Sequence, residues 1–207
     1  MANLRAVQKE MTRKLLVSTA LELFRTKGYA ATTVDDIAST AGTTRVTFYA
    51  YFKSRSDLAR ALLAELNEVL ERTTSEQHGT TAPELVDVVR DGSYEAMAGW
   101  LGQRSRTWVQ IRPYLNAISE AAHVDPDLRD LVDSWFEEVI ADIKDGLDQA
   151  GRFPPEIRHS RAVLAFAQLD YLGQHWTEGR WGVDREQVVH VLAESWFTLL
   201  GERPPAN

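Results

Sequence analysis

Between Thr43 and Lys53 the sequence reads TTRVTFYAYFK, which concentrates three threonine hydroxyls, two phenols, a guanidinium and an ammonium in eleven residues. No nucleophile–base pair and no metal-ligand spacing lies among them. Their shared chemistry is hydrogen-bond donation from a locally cationic surface. Such groups suit the acceptor-rich edges and phosphate oxygens of a DNA groove.

Those groups need a rigid carrier, and the flanking residues supply one. Thr33 followed by Asp36 fits a capping box, in which the threonine oxygen accepts a first-turn amide and the carboxylate bonds back. Val34, Ile37, Ala38 and Ala41 then recur at helical spacing and predict one buried face. Gly42 supplies the residue without a Cβ that a sharp helix exit needs. Thr43 or Thr44 can cap the next helix. In it, Phe48 and Phe52 are four apart and share an anchoring face, which leaves Thr44, Arg45, Thr47 and Tyr49 pointing elsewhere. Two short helices joined by a tight turn make a helix–turn–helix, whose second helix enters the major groove N-terminal residues first.

The segment from about Thr12 to Leu58 resembles the DNA-binding domain of the TetR (tetracycline-repressor) family. The likeness is carried by ALELFRTKGYAATTVDDIASTAG and TFYAYFKSRSDL, with glycines, aromatics and the lysine after the second helix at family spacing. It implies a three-helix head in which Tyr49 and Lys53 touch phosphates. Carried over residue by residue, the implied DNA contacts are Thr33, Thr44, Arg45, Val46, Thr47, Tyr49, Tyr51 and Lys53. The sequence departs from the family at Thr43, where an aliphatic residue is common, and at Ala50, where histidine is frequent.

Charge follows the same division. Residues 1–55 hold nine Lys/Arg against four Asp/Glu, and the remainder fourteen against twenty-six, within a net charge of −7. A basic head on an acidic body binds phosphate while the body discourages unspecific adhesion. At 207 residues the chain suffices for one substantial core plus a small appended domain. It has no cysteine, so disulfides and thiolate metal sites are excluded. No apolar run approaches the roughly twenty residues a membrane span needs, and the N-terminus lacks a signal-peptide core. The expectation is a cytoplasmic protein without membrane contact.

After the head, periodicity predicts helices throughout. Ser54 with Asp57 forms a capping box opening a helix through Leu58, Leu62, Leu63, Leu66 and Leu70; TTSEQHGTTAP reads as a loop. A helical series covers about Pro83–Val109 with a break near Gly92. Arg112-Pro113 starts another helix that stops near His123. Asp125-Pro126 opens one running to Gly151, GRFPPEIR reads as a loop, and two helices follow at about His159–Glu178 and Asp184–Leu200. The expected fold class is all-α, with about nine helices: a helix–turn–helix domain over 1–55 and an effector-binding and dimerisation domain over 56–207.

A single helix–turn–helix contacts few base pairs, so useful specificity calls for two half-sites and a dimer. The last helix is apolar on more than one face, and the resemblance implies that the final two helices form a four-helix bundle across a two-fold axis. Candidate interface residues are Leu172, Trp176, Val189, Leu192, Trp196 and Leu199. All six tryptophans follow residue 99, and the family typically holds a small-molecule pocket among its central helices. An apolar or ring-bearing effector would then meet Met97, Trp100, Trp108, Trp135, Phe136, Phe166 and Leu169, oriented by Gln168 or by Asn116 and Asp170. The reading is a homodimeric, ligand-responsive repressor of a palindromic double-stranded DNA operator, released when its small-molecule effector moves the helix that starts at Ser54. Alternatives are a corepressor-dependent regulator or an activator and, more distantly, an interaction module or an enzyme. The five histidines show no HExxH spacing, and GxSxG, Walker and GxGxxG motifs are absent. No catalytic residue, metal or cofactor is therefore expected.

Overall fold

The computed structural model describes residues 2–76 and 79–201. Its described residues form ten helices and one small hairpin, and no helix among them is long and apolar enough to cross a membrane. In chain order the helices are α1 (Ala2–Lys27), α2 (Val34–Thr40), α3 (Arg45–Tyr51), α4 (Arg55–Val69), α5 (Pro83–Asp91), α6 (Tyr94–Ser105), α7 (Trp108–Val124), α8 (Pro126–Ala150), α9 (Pro155–His175) and α10 (Arg185–Leu200). The all-α class holds.

Three local readings are corrected. The segment read as a loop carries strands β1 (Thr73–Ser75) and β2 (Gly79–Thr81), paired antiparallel with Thr73 opposite Thr81; Gln77 and His78 of that segment lie outside the described residues. Polar composition concealed the hairpin because its anchoring is ionic. Arg72, with its side chain 2% exposed, donates to the Thr80 carbonyl at 3.0 Å and the Asp142 carboxylate at 3.1 Å. Asp142, fully buried, also accepts from the Thr81 hydroxyl at 2.6 Å and the Ala82 amide at 2.9 Å. Second, α7 starts at Trp108 and runs through Pro113; the proline costs the ladder one amide bond and crowds the Val109 carbonyl in the second turn, and the helix continues past it. Third, α9 starts at Pro155, where a first-turn proline loses a donor that would be unpaired anyway.

The described chain divides into two units. One joins residues up to Glu68 with Pro113–Val132; the other joins Val69–Arg112 with the segment from Asp133 onward. In the first, Leu16, Val17, Ala20, Ile37, Phe48, Leu58, Leu62 and Leu66 are buried with Leu115, Ile118 and Leu128. In the second, α6 and α10 pack closely, and Trp100 stacks on Trp196 with ring centroids 5.6 Å apart. Trp108 meets Trp176 at 5.5 Å.

Candidate nucleic-acid interface

The turn between α2 and α3 is closed by backbone geometry. Gly42 sits at φ +66, its amide donates to the Ser39 carbonyl at 3.1 Å, and the Thr43 amide reaches the Ala38 carbonyl at 2.9 Å. That pairing is the Schellman arrangement, which requires the left-handed residue that glycine adopts without a Cβ penalty. The Thr43 hydroxyl adds a bond to the Ala38 carbonyl at 3.3 Å, so a threonine serves where an aliphatic residue is common.

Both helices are capped at their starts. Thr33 accepts from the Asp36 amide at 3.1 Å, and Asp36 takes the Thr33 amide at 2.8 Å, completing the box. The Thr33 hydroxyl donates to Asp36 at 2.7 Å, which commits its one hydrogen to the cap. Lys27 reaches the same carboxylate at 2.7 Å. Together Lys27 and Thr33 hold Asp36 far below the usual carboxylate range. Thr44, not Thr43, caps α3: its oxygen accepts from the Thr47 amide at 3.1 Å and shares a hydrogen with the Thr47 hydroxyl at 3.0 Å. The next cap is offset from the expected box. Ser54 accepts from the Asp57 amide at 3.0 Å, while Asp57 accepts from the Lys53 amide, also at 3.0 Å. Lys53 is thereby fixed at the backbone while its ammonium stays exposed.

Helix α3 presents its polar side outward. Phe48 and Phe52 are buried and meet at 5.7 Å. Val46, at 81% exposure, lies on the opposite side. Arg45 and Tyr49 flank it, the guanidinium carbon 5.6 Å from the phenol ring centroid. Arg45 also pairs with Asp35 at 3.2 Å. The structure thus collects Thr44, Arg45, Val46, Thr47, Tyr49 and Lys53 on or beside one exposed helix. Tyr51 is half-buried, and Thr33 lies at the start of α2. A convex face of hydroxyls, one phenol and two cations, with an exposed valine for a thymine methyl, can read a duplex groove.

Arg55 braces the head behind this face, although in the sequence it registers only as a charge. Its guanidinium lies 4.1 Å above the Tyr29 ring and donates to the Tyr29 carbonyl at 2.8 Å and the Thr32 carbonyl at 2.5 Å. It ties the turn after Gly28 (φ +87), which leads into Thr33, to the start of α4. A lone arginine after a serine carries no sequence signal for that role.

The ligand candidates separate into groups. Trp135, Phe136 and Phe166 form one run of ring contacts at 5.6 and 5.3 Å. Trp100 stacks on Trp196 instead, Trp108 packs against Trp176, and Met97 is fully buried. Gln168 bonds Ser195 at 2.9 Å, joining α9 to α10, and Leu169 is half-buried. Asp170 is held by Gln174 at 2.8 Å, and burial pushes its carboxyl up. Among the interface candidates, Trp176 and Trp196 are 1% and 0% exposed, consumed by the chain's own core. Leu192 is buried, and Leu172, Val189 and Leu199 are half-buried. An outward groove along α9 and α10 is lined by Leu164, Tyr171, Leu172, Val188, Val191 and Leu192.

Comparison with known proteins agrees with this geometry. Residues 16–62 match the model of bacterial regulatory proteins of the tetR family. The chain is similar to the HTH-type transcriptional regulator SrpR of Pseudomonas putida, with 37% identity over 210 residues covering 99% of this chain and 92% of that one. The HTH-type transcriptional regulator TtgR, also of Pseudomonas putida, is 27% identical over 186 residues, 82% of this chain and 81% of its own. Among solved structures, NalD, the secondary repressor of the MexAB-OprM multidrug efflux pump in Pseudomonas aeruginosa, superposes with a TM-score of 0.68 at 16% identity, covering 94% and 98% of the two chains. With its helix–turn–helix in place and its relatives named as regulators rather than enzymes, the chain belongs to the tetR family of bacterial DNA-binding transcriptional regulators.

Proposed function

We propose that the chain is a homodimeric repressor that reads a palindromic operator and leaves it when a small, largely apolar effector binds. The single observation that carries the reading is the exposed face of α3, where Arg45, Val46 and Tyr49 stand free of the core while Phe48 anchors the helix behind them. Arg45, Val46 and Thr47 read bases; Tyr49 and Lys53 hold phosphates, and Thr44 orients Thr47. Residues 1–55 carry this reading, and residues 56–207 carry effector binding and dimerisation.

The dimer is assigned to the outward groove of α9 and α10. Leu164, Tyr171 and Val191, at 56%, 56% and 57% exposure, are large apolar groups that a monomer leaves in water. A two-fold axis there would set two heads for half-sites about one turn, roughly 34 Å, apart or a multiple of it. In this reading the effector-facing wall is the linked ring cluster Trp135, Phe136 and Phe166, whose rings meet at 5.6 and 5.3 Å. An effector acts as inducer only if it prefers the state that cannot bind DNA.

Sedimentation with duplexes tests the reading. Two chains per recovered palindrome are expected, and the Val191→Glu chain should sediment as a monomer with weakened operator binding. A wild-type chain that binds singly would refute the dimeric mechanism.

A further inference from the structure

Helix α1 has two apolar faces, and the head uses only one of them. Leu16, Val17, Ala20 and Phe24 are buried in the core of the head. On the opposite side Leu4 and Met11 are 65% exposed, Val7 48% and Leu15 46%. These four recur at steps of three and four, so they form one stripe over about 16 Å of helix. Single exposed leucines are ordinary, but a continuous stripe of four marks a surface made to be covered.

The residues beside the stripe identify what covers it. By helical spacing Glu10 and Lys14 border it on one flank, Gln8 and Thr12 on the other. Glu10 and Lys14 are exposed and form no ion pair or side-chain hydrogen bond among the described residues, with each other or elsewhere. Two copies of α1 packed antiparallel about a two-fold axis at Met11 bring each Val7 against the other copy's Leu15. Each Glu10 then lies within two residues, roughly 3 Å along the axis, of the other copy's Lys14. Gln8 and Thr12 meet in the same way on the second flank. A parallel pairing sets the charged flank against the uncharged one and makes no ion pair. The stripe is therefore self-complementary in the antiparallel sense, which is what an isologous contact requires. A membrane surface would call for cations bordering the stripe, whereas the bordering charges cancel and Arg5 and Lys9 lie on the far side of the helix.

We propose that the outward stripe of α1 joins neighbouring dimers on DNA, so that adjacent operators are filled cooperatively. This inference rests on the dimeric DNA-reading function. A contact of about three turns per helix falls short of the ~1,200 Å² a stable interface buries, so it forms only where DNA already concentrates two heads. The heads of one dimer are set for half-sites roughly 34 Å apart, whereas paired helices pack at about 8–10 Å. The partner is accordingly a head of the next dimer.

The test is binding of the full chain to duplexes that carry one selected operator or two, with the spacing between the two stepped through a helical turn. At a matching spacing the second dimer should bind at least about fivefold more tightly than the first, the low end of ordinary coupling between sites. Met11→Glu sets two carboxylates face to face and should abolish that factor, with single-operator affinity and thermal melts as in wild type. Glu10→Lys should reduce the factor, and Glu10→Lys/Lys14→Glu should restore it, because the exchange keeps both ion pairs. The chain has no cysteine, so Met11→Cys reports the axis directly: mild oxidation should link chains on the two-operator duplex and not on the single-operator one. Independent binding at every spacing, or cooperativity that survives Met11→Glu, would overturn the contact while leaving DNA reading intact. Absence of cooperativity combined with binding to anionic vesicles that Met11→Glu removes would overturn it in favour of a membrane. A chain that selects no operator at all would overturn both the contact and the DNA-reading function.

Discussion

Replacing Arg55 by methionine tests whether the DNA head is held together by the guanidinium contacts at the start of α4. The substitution keeps most of the apolar stem and removes the planar head. Two carbonyls, Tyr29 at 2.8 Å and Thr32 at 2.5 Å, lose a charged donor, and the Tyr29 ring loses a cation at 4.1 Å. Hydrogen bonds to charged groups contribute about 1.5–3 kcal/mol each, and a cation over a ring about 0.5–2 kcal/mol. Water can reach part of this turn, so the net loss should be about 3 kcal/mol rather than the full sum. At fixed chain concentration that lowers Tm by roughly 6–12 °C, taking about 2–4 °C per kcal/mol for a chain of this size. Arg55→Lys keeps the charge but not the fork and should recover about half. Urea unfolding followed by circular dichroism, with operator binding in parallel, measures both effects. An Arg55→Met chain within about 0.5 kcal/mol of wild type would refute the assignment, since that is the range of ordinary surface substitutions.

The ionic contacts give two further predictions. Arg72→Met strands the buried Asp142 carboxylate without its cation and should cost about 3–5 kcal/mol in urea unfolding; adding Asp142→Leu should cost less than the sum of the single changes, and strict additivity would argue against a coupled pair. Asp36, whose carboxyl is depressed by Lys27 and Thr33, contributes stability that is present above the ordinary aspartate value of about 3.9 and lost as pH falls from there toward its lower folded value. Thermal melts should accordingly decline on acidification below about pH 4. In Asp36→Asn this share of the decline should disappear, and an unaltered profile would place the acid sensitivity elsewhere.

The head was legible because its signals are local. Thr33 and Asp36, Gly42, and the Phe48–Phe52 pair each act within one helical turn, so spacing alone reveals them. What stayed hidden acts over long separations or through charge. Arg55 works on carbonyls 23 and 26 residues earlier, and the β1–β2 hairpin depends on Asp142, 70 residues beyond Arg72. Aromatic composition pointed to the C-terminal half as a place for rings, but not to their partners. Trp100 with Trp196, and Trp108 with Trp176, form separate pairs, while Trp135, Phe136 and Phe166 connect. Periodicity marks a residue as inward and cannot say which of several inward surfaces it meets.

The central claim is that this chain reads DNA sequence through α3. Selection of bound duplexes from a random pool, using the full chain at near-physiological salt, tests it most directly. The expected result is recovery of a palindrome whose preferred bases change when Arg45 or Thr47 is substituted and stay the same when Lys53 is. A pool that remains unenriched, with no binding at low salt either, would contradict it.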